Sequence, residues 1–118
     1  MIIPVSGDFA GPKALRGIGA WLTKQGTNVS TFYLSNVEQY LFQDQKQAAF
    51  YANVGALPLT ATSVFIRPYS LRGRSYGGAV AANGAGAEPR PLCPIRTYLR
   101  TFESGRVVSN ADAVSCVQ

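Results

Sequence analysis

Short apolar runs alternate with helical patterns along the first half of the chain. Runs rich in β-branched and aromatic residues predict three strands near residues 2–6, 30–35 and 63–67. Between them, apolar residues at helical spacing predict helices near residues 12–25 and 43–55. Gly26 is placed to end the first helix. Strand–helix–strand–helix–strand with short connections predicts a right-handed, parallel βαβαβ sheet.

The stretch from Thr31 to Phe42 links this fold to a candidate site. It begins as a strand, in Phe32 and Leu34, and is expected to end as a polar turn. Four hydrogen-bonding side chains follow the strand directly: Ser35, Asn36, Glu38 and Gln39. In open α/β sheets the carboxyl edge of the strands is where ligands bind, so we expect the site there.

The second half of the chain changes in composition. Residues 70–91 are rich in Gly and Ala, which predicts a long flexible loop. A helix is expected over residues 94–104, ended by Gly105, followed by a last short helix capped by Ser109 or Asn110. We therefore expect residues 1–118 to form one α/β domain: a three-layer, Rossmann-like half domain with a long loop and two C-terminal helices.

The low charge content points to a partner surface. Charged residues make up 14% of the chain, against roughly 25% in ordinary domains. Half of a parallel sheet also leaves a strand edge without a neighbour. We therefore expect a homodimer.

The net charge of +5 favours an anionic partner. The basic residues are scattered, however, and no nucleic-acid-binding motif surrounds them, so a small anionic ligand is expected rather than nucleic acid. The chain contains no histidine, which excludes Ser-His-Asp and Cys-His catalysis within one chain and histidine metal sites.

Cys93 and Cys116 lack metal-binding or redox spacing. We expect two reduced, partly buried thiols in a cytoplasmic protein, with a disulfide between them as the alternative. No run approaches the ~20 apolar residues of a membrane span, and the N-terminus does not resemble a signal peptide.

The candidate catalytic and binding residues lie where the three predicted strands end. Asp8 and Glu38 could pair as acid and base, and Arg67 could hold an anionic group. The residues expected to bind a substrate are Ser35, Asn36, Gln39, Tyr40 and Arg67. The alternative is a hydrogen-bonded turn in which Glu38 pairs with Arg67 and nothing reacts. No metal site is expected, because two carboxylates alone bind a metal poorly.

Three segments resemble a known group of proteins: Gly7–Ala14, Phe32–Phe42 and Phe65–Arg67. They are similar to an uncharacterised bacterial family with a class I methyltransferase-like Rossmann fold. The resemblance implies that the chain is the C-terminal half of that fold. It also implies S-adenosylmethionine as a cofactor, although the glycine-rich loop expected to hold it belongs to the preceding half and is not in this sequence.

Three functions therefore stay open. The first is a methyltransferase-like half domain that binds a small anionic ligand at the carboxyl ends of its strands. The second is a carboxylate-based hydrolase that uses Asp8 and Glu38. The third is a binding or scaffold module without turnover.

Overall fold

The fold is a small mixed sheet surrounded by short helices. The computed structural model describes residues 1–67 and 92–117, so the whole of the loop predicted over residues 70–91 lies outside the described residues. In chain order the elements are α1 (Ala14–Lys24), β1 (Val29–Tyr33), α2 (Val37–Gln43), α3 (Gln47–Gly55), β2 (Leu59–Ile66), β3 (Leu92–Pro94), α4 (Ile95–Glu103) and α5 (Asn110–Val114).

The sheet has the strand order β1-β2-β3 and mixed polarity. β1 and β2 run parallel, with Phe32 opposite Phe65. β3 runs antiparallel to β2, with Cys93 opposite Phe65. The prediction of a parallel βαβαβ Rossmann sheet is therefore wrong, although the parallel pairing of its second and third strands is correct.

The predicted first strand does not form. Residues 2–6 are in no strand, and the side chains of Ile2 and Ile3 are 94% and 53% exposed. Pro4 has no backbone N–H to donate to a neighbouring strand. In the described part of the chain the sheet ends at β1, and its third member is β3 instead.

The predicted first helix is present as α1. It ends where Gly26 adopts a φ of +69°, a conformation that favours glycine. The predicted helix over residues 43–55 is only partly correct, because a helix already begins at Val37 and a turn separates α2 from α3. Gln45 has a φ of +57° in that turn and interrupts the helical path. The polar turn expected after the strand at residues 30–35 is thus the start of α2, which follows β1.

Aromatic side chains form the centre of the core. Phe50, Phe65 and Tyr98 are fully buried. Phe32 packs edge-on against both Phe50 and Phe65, with ring centroids 6.2 and 5.8 Å apart. Edge-to-face packing suits the charge distribution of aromatic rings. This chain of rings joins α3, the sheet and α4 just below the carboxyl ends of β1 and β2.

A disulfide joins β3 to the end of the chain. Cys93 and Cys116 are bonded, with their Cα atoms 5.7 Å apart, and both are buried. The expectation of two reduced thiols is therefore wrong. The residue-based argument for the cytoplasm loses its support with it, because disulfides persist mainly in oxidising compartments.

Candidate functional site

A buried ion pair lies at the carboxyl ends of β1 and β2. Glu38, in the first turn of α2, accepts hydrogen bonds from Arg67, which directly follows β2. The Nε–Oε1 and Nη2–Oε2 distances are 2.6 and 2.9 Å. Glu38 and Arg67 are only 4% and 3% exposed. Two parallel bonds of this kind hold both planar groups in one orientation.

Two tyrosines extend the pair into the core. Tyr51 of α3 donates a hydrogen bond to Oε2 of Glu38, and Tyr98 of α4 donates one to the Tyr51 hydroxyl at 2.7 Å. The guanidinium of Arg67 also lies over the rings of Phe65 and Tyr98, 4.8 and 4.7 Å from their centroids. The network therefore connects α2, α3, α4 and the end of β2.

The network keeps its members in defined protonation states. Burial raises the pKa of Tyr51 well above its ordinary value, and the charge of Glu38 adds to that effect. The pKa of Tyr98 is raised for the same two reasons. Burial lowers the pKa of Arg67, but the hydrogen bonds to Glu38 and the negative charge of that carboxylate together outweigh burial and leave that pKa raised. Both phenols stay neutral donors and Arg67 stays a cation.

A small pocket opens beside this network; we call it the Arg67 pocket. Five of the seven predicted site residues line it: Ser35, Asn36, Glu38, Gln39 and Arg67. Asn110 and Val114 of α5 complete its wall. Its volume is about 10 Å³, room for one water-sized atom. The convergence of the strand ends, expected from the sequence, thus holds for these five residues.

One nitrogen of Arg67 has no hydrogen-bond partner among the residues that the structure describes. Nη1 of Arg67 is buried and makes no hydrogen bond, whereas Nε and Nη2 are both bonded to Glu38. A buried donor without an acceptor costs free energy, and a charged donor costs more than a neutral one. An acceptor oxygen within hydrogen-bond distance of Nη1 would remove this cost.

Two predicted residues lie elsewhere. Asp8 lines a separate apolar groove against α1, where its Oδ1 accepts a hydrogen bond from the backbone N–H of Ala10 at 3.0 Å. Tyr40 is 56% exposed and does not line the Arg67 pocket. The structure therefore does not bring Asp8 and Glu38 to one pocket as an acid and base. The oxygens of Glu38 are already bonded to Arg67 and Tyr51.

Three important residues were missed by the sequence analysis. Asn53 is 4% exposed, and its Nδ2 donates to the carbonyls of Phe9 and Gly11 at 3.0 and 2.8 Å, which holds the loop before α1. Tyr51 and Tyr98 were likewise not among the predicted site residues. A search for polar atoms on otherwise apolar helix faces would have found all three.

The family comparison covers most of this site. A family model described as a domain of unknown function, DUF7790, matches residues 1–85. The chain belongs to the DUF7790 family. The part matched to DUF7790 contains Glu38, Tyr51 and Arg67, whereas Tyr98 and α5 lie beyond it. A comparison with curated proteins gave no significant match.

The described residues, 1–67 and 92–117, contain neither a membrane-spanning helix nor a cluster of metal ligands. Among them no helix has the length and apolar character needed to cross a membrane. In the same residues, no three side chains of His, Cys, Asp or Glu are grouped as metal ligands would be.

Proposed function

We propose that this DUF7790 domain is a binding module that holds a small anionic ligand at the carboxyl ends of β1 and β2. The observation that carries the proposal is the buried, unpartnered Nη1 of Arg67 at a pocket lined by Ser35, Asn36 and Gln39. A carboxylate oxygen of the ligand occupies the pocket and accepts from Nη1, and the body of the ligand stays outside. Glu38 is a structural carboxylate in this proposal, because its oxygens are bonded and buried.

Nuclear magnetic resonance tests the proposal with acetate as the probe. Titration with acetate is expected to shift the side-chain resonances of Arg67 in a saturable way. Asn36→Ala is expected to weaken acetate binding about fivefold, the effect of one hydrogen bond of about 1 kcal/mol. Gln25→Ala, an exposed amide at the end of α1, is the matched control and should bind as the wild type does. Shifts that never saturate, or equal effects of both variants, would reject the proposal.

Methyl transfer is the function implied by the sequence resemblance, and a separate titration addresses it. β1 and β2 are adjacent and parallel, and polar residues follow their carboxyl ends. In open α/β sheets a cofactor binds at such an edge. Calorimetry with S-adenosylmethionine is the direct measurement. Saturable binding of that cofactor would favour a methyltransferase-like domain over a module that only binds the anion.

We also propose that two copies of the chain pair along β1. Among the described residues β1 is the last strand of the sheet, and its Thr31 and Tyr33 are exposed. Its sequence, Val29 to Tyr33, contains neither a charged residue nor a proline, two of the usual means of blocking edge pairing, although its register with β2 shifts between Val29 and Thr31. A second copy can add its own β1 to this edge across a two-fold axis.

A further inference from the structure

A wider groove continues from the Arg67 pocket and shares Gln39 and Asn110 with it. Its volume is about 650 Å³, within the usual range for small-molecule sites. Most of its lining is carboxamide, with one aromatic ring: Gln39, Phe42, Gln43, Gln45, Gln47 and Asn110. We call it the amide groove. No side chain that lines it carries a charge at neutral pH.

Both walls of the amide groove are held by local structure. Phe42 and Gln43 come three and four residues after Gln39 along α2, so both lie next to Gln39 on one face of the helix. On the opposite wall Ser109 caps α5: its hydroxyl accepts from the N–H of Asp112, and the Asp112 carboxylate accepts from the N–H of Ser109. This capping box sets the position of Asn110 at the start of α5.

Buried polar atoms at the groove and the pocket need partners of opposite kinds. Within residues 1–67 and 92–117, Oε1 of Gln47 is buried and accepts no hydrogen bond, while Nη1 of Arg67 is buried and donates none. A ligand that spans both places must therefore donate at the groove and accept at the pocket. Carboxamides both donate and accept, which matches the two-way bonding of hydroxyl groups.

We infer that the amide groove binds the ring of an acidic saccharide whose carboxylate enters the Arg67 pocket. The hydroxyls bond to the carboxamides, and the half-buried ring of Phe42 faces the apolar C–H groups of the sugar. This inference rests on the proposed function and adds the class of the ligand. A ligand with charges along its whole length does not suit the groove, because no counter-charge lines it.

The test compares glucuronate with acetate and glucose, using the Arg67 side-chain resonances as the readout. Glucuronate is expected to bind at least tenfold more tightly than acetate, because two or more hydrogen bonds are added. Glucose, which has no carboxylate, should bind more weakly than glucuronate and leave the Arg67 resonances in place.

Two variants separate the groove from the pocket. Gln43 lines only the amide groove and Asn36 only the Arg67 pocket, and both are exposed. Gln43→Ala is expected to weaken glucuronate about fivefold and leave acetate unchanged, whereas Asn36→Ala weakens both. Gln25→Ala should change neither.

The failures of the two proposals are distinguishable. If acetate causes no saturable shift at Arg67, the proposed function is wrong and the inference falls with it. If acetate binds but glucuronate binds no more tightly, only the saccharide inference is overturned. The same holds if Gln43→Ala affects both probes equally or affects neither.

Discussion

Glu38 shows how the surroundings of one residue decide its role. In the sequence it stands in a polar cluster after a strand, which suggested an acid–base residue. In the structure its carboxylate is bonded to Arg67 and Tyr51 and is shielded from solvent. The bonding network makes Glu38 the counter-charge that allows a guanidinium to be buried.

Glu38→Gln is therefore expected to lower the free energy of unfolding by about 3–5 kcal/mol, because it leaves the Arg67 cation buried without a counter-charge. Urea denaturation followed by circular dichroism measures the loss. Glu103→Gln, at an exposed position at the end of α4, should stay within about 0.5 kcal/mol of the wild type.

A double variant identifies the cause of that loss. Glu38→Gln combined with Arg67→Met removes both charges and should recover part of the stability. A folded Glu38→Gln protein that loses less than about 1 kcal/mol would contradict the structural role of Glu38.

At the scale of the elements, the packing of α1 depends on a small residue. Gly19 is buried, and a Cβ atom there would lie 3.2 Å from Cδ2 of Leu57 and 3.3 Å from the carbonyl oxygen of Ala56. A Cβ atom at Gly17 would meet nothing within 4 Å. Only Gly19 of these two glycines therefore allows a close approach. It lets α1 pack against Ala56 and Leu57, which follow α3.

The two glycines make a matched pair of substitutions. Gly17→Ala is expected to raise the free energy of unfolding by about 1 kcal/mol, because alanine favours the helix. Gly19→Ala gains the same propensity but crowds Leu57, and we expect it to be at least about 1 kcal/mol less stable than Gly17→Ala. Thermal and urea unfolding of both variants measure the difference. Equal stabilisation by the two would show that the contact between α1 and Leu57 is not tight.

At the scale of the whole molecule, the edge of β1 that no described strand covers determines the expected assembly. The chain has little charge with which to cover its surface, and β1 has no residue that blocks pairing. The apolar groove beside α1, with Trp21 47% exposed, adds uncovered surface. These features together favour association of two copies over a stable monomer.

Light scattering at micromolar concentration should therefore give twice the 12.6 kDa mass of one chain. Thr31→Lys, on the exposed part of β1, should shift the protein to the monomer because it places a charge at the paired edge. Thr62→Lys, equally exposed but on β2, is the control and should leave the dimer intact. A wild-type mass of 12.6 kDa would show that β1 remains unpaired.

Local sequence patterns were sufficient for features that depend on near neighbours. They located α1 and its end at Gly26, the helix before Gly105, and the parallel pair of β1 and β2. They also predicted that Ser35, Asn36 and Arg67 would meet, because parallel neighbouring strands end at one edge. The spacing of apolar residues in a helix and a glycine at its end are properties of short stretches. They can therefore be recognised in the sequence without the tertiary structure.

Tertiary structure decided the features that join distant parts of the chain. The antiparallel place of β3, the bond between Cys93 and Cys116, and the closure of the pocket by Asn110 all depend on pairings that no local pattern encodes. Residues 2–6 have the composition of a strand, yet burial against a neighbour decides whether a strand forms. Burial among residues far apart in sequence likewise made Glu38 a counter-charge rather than an accessible acid.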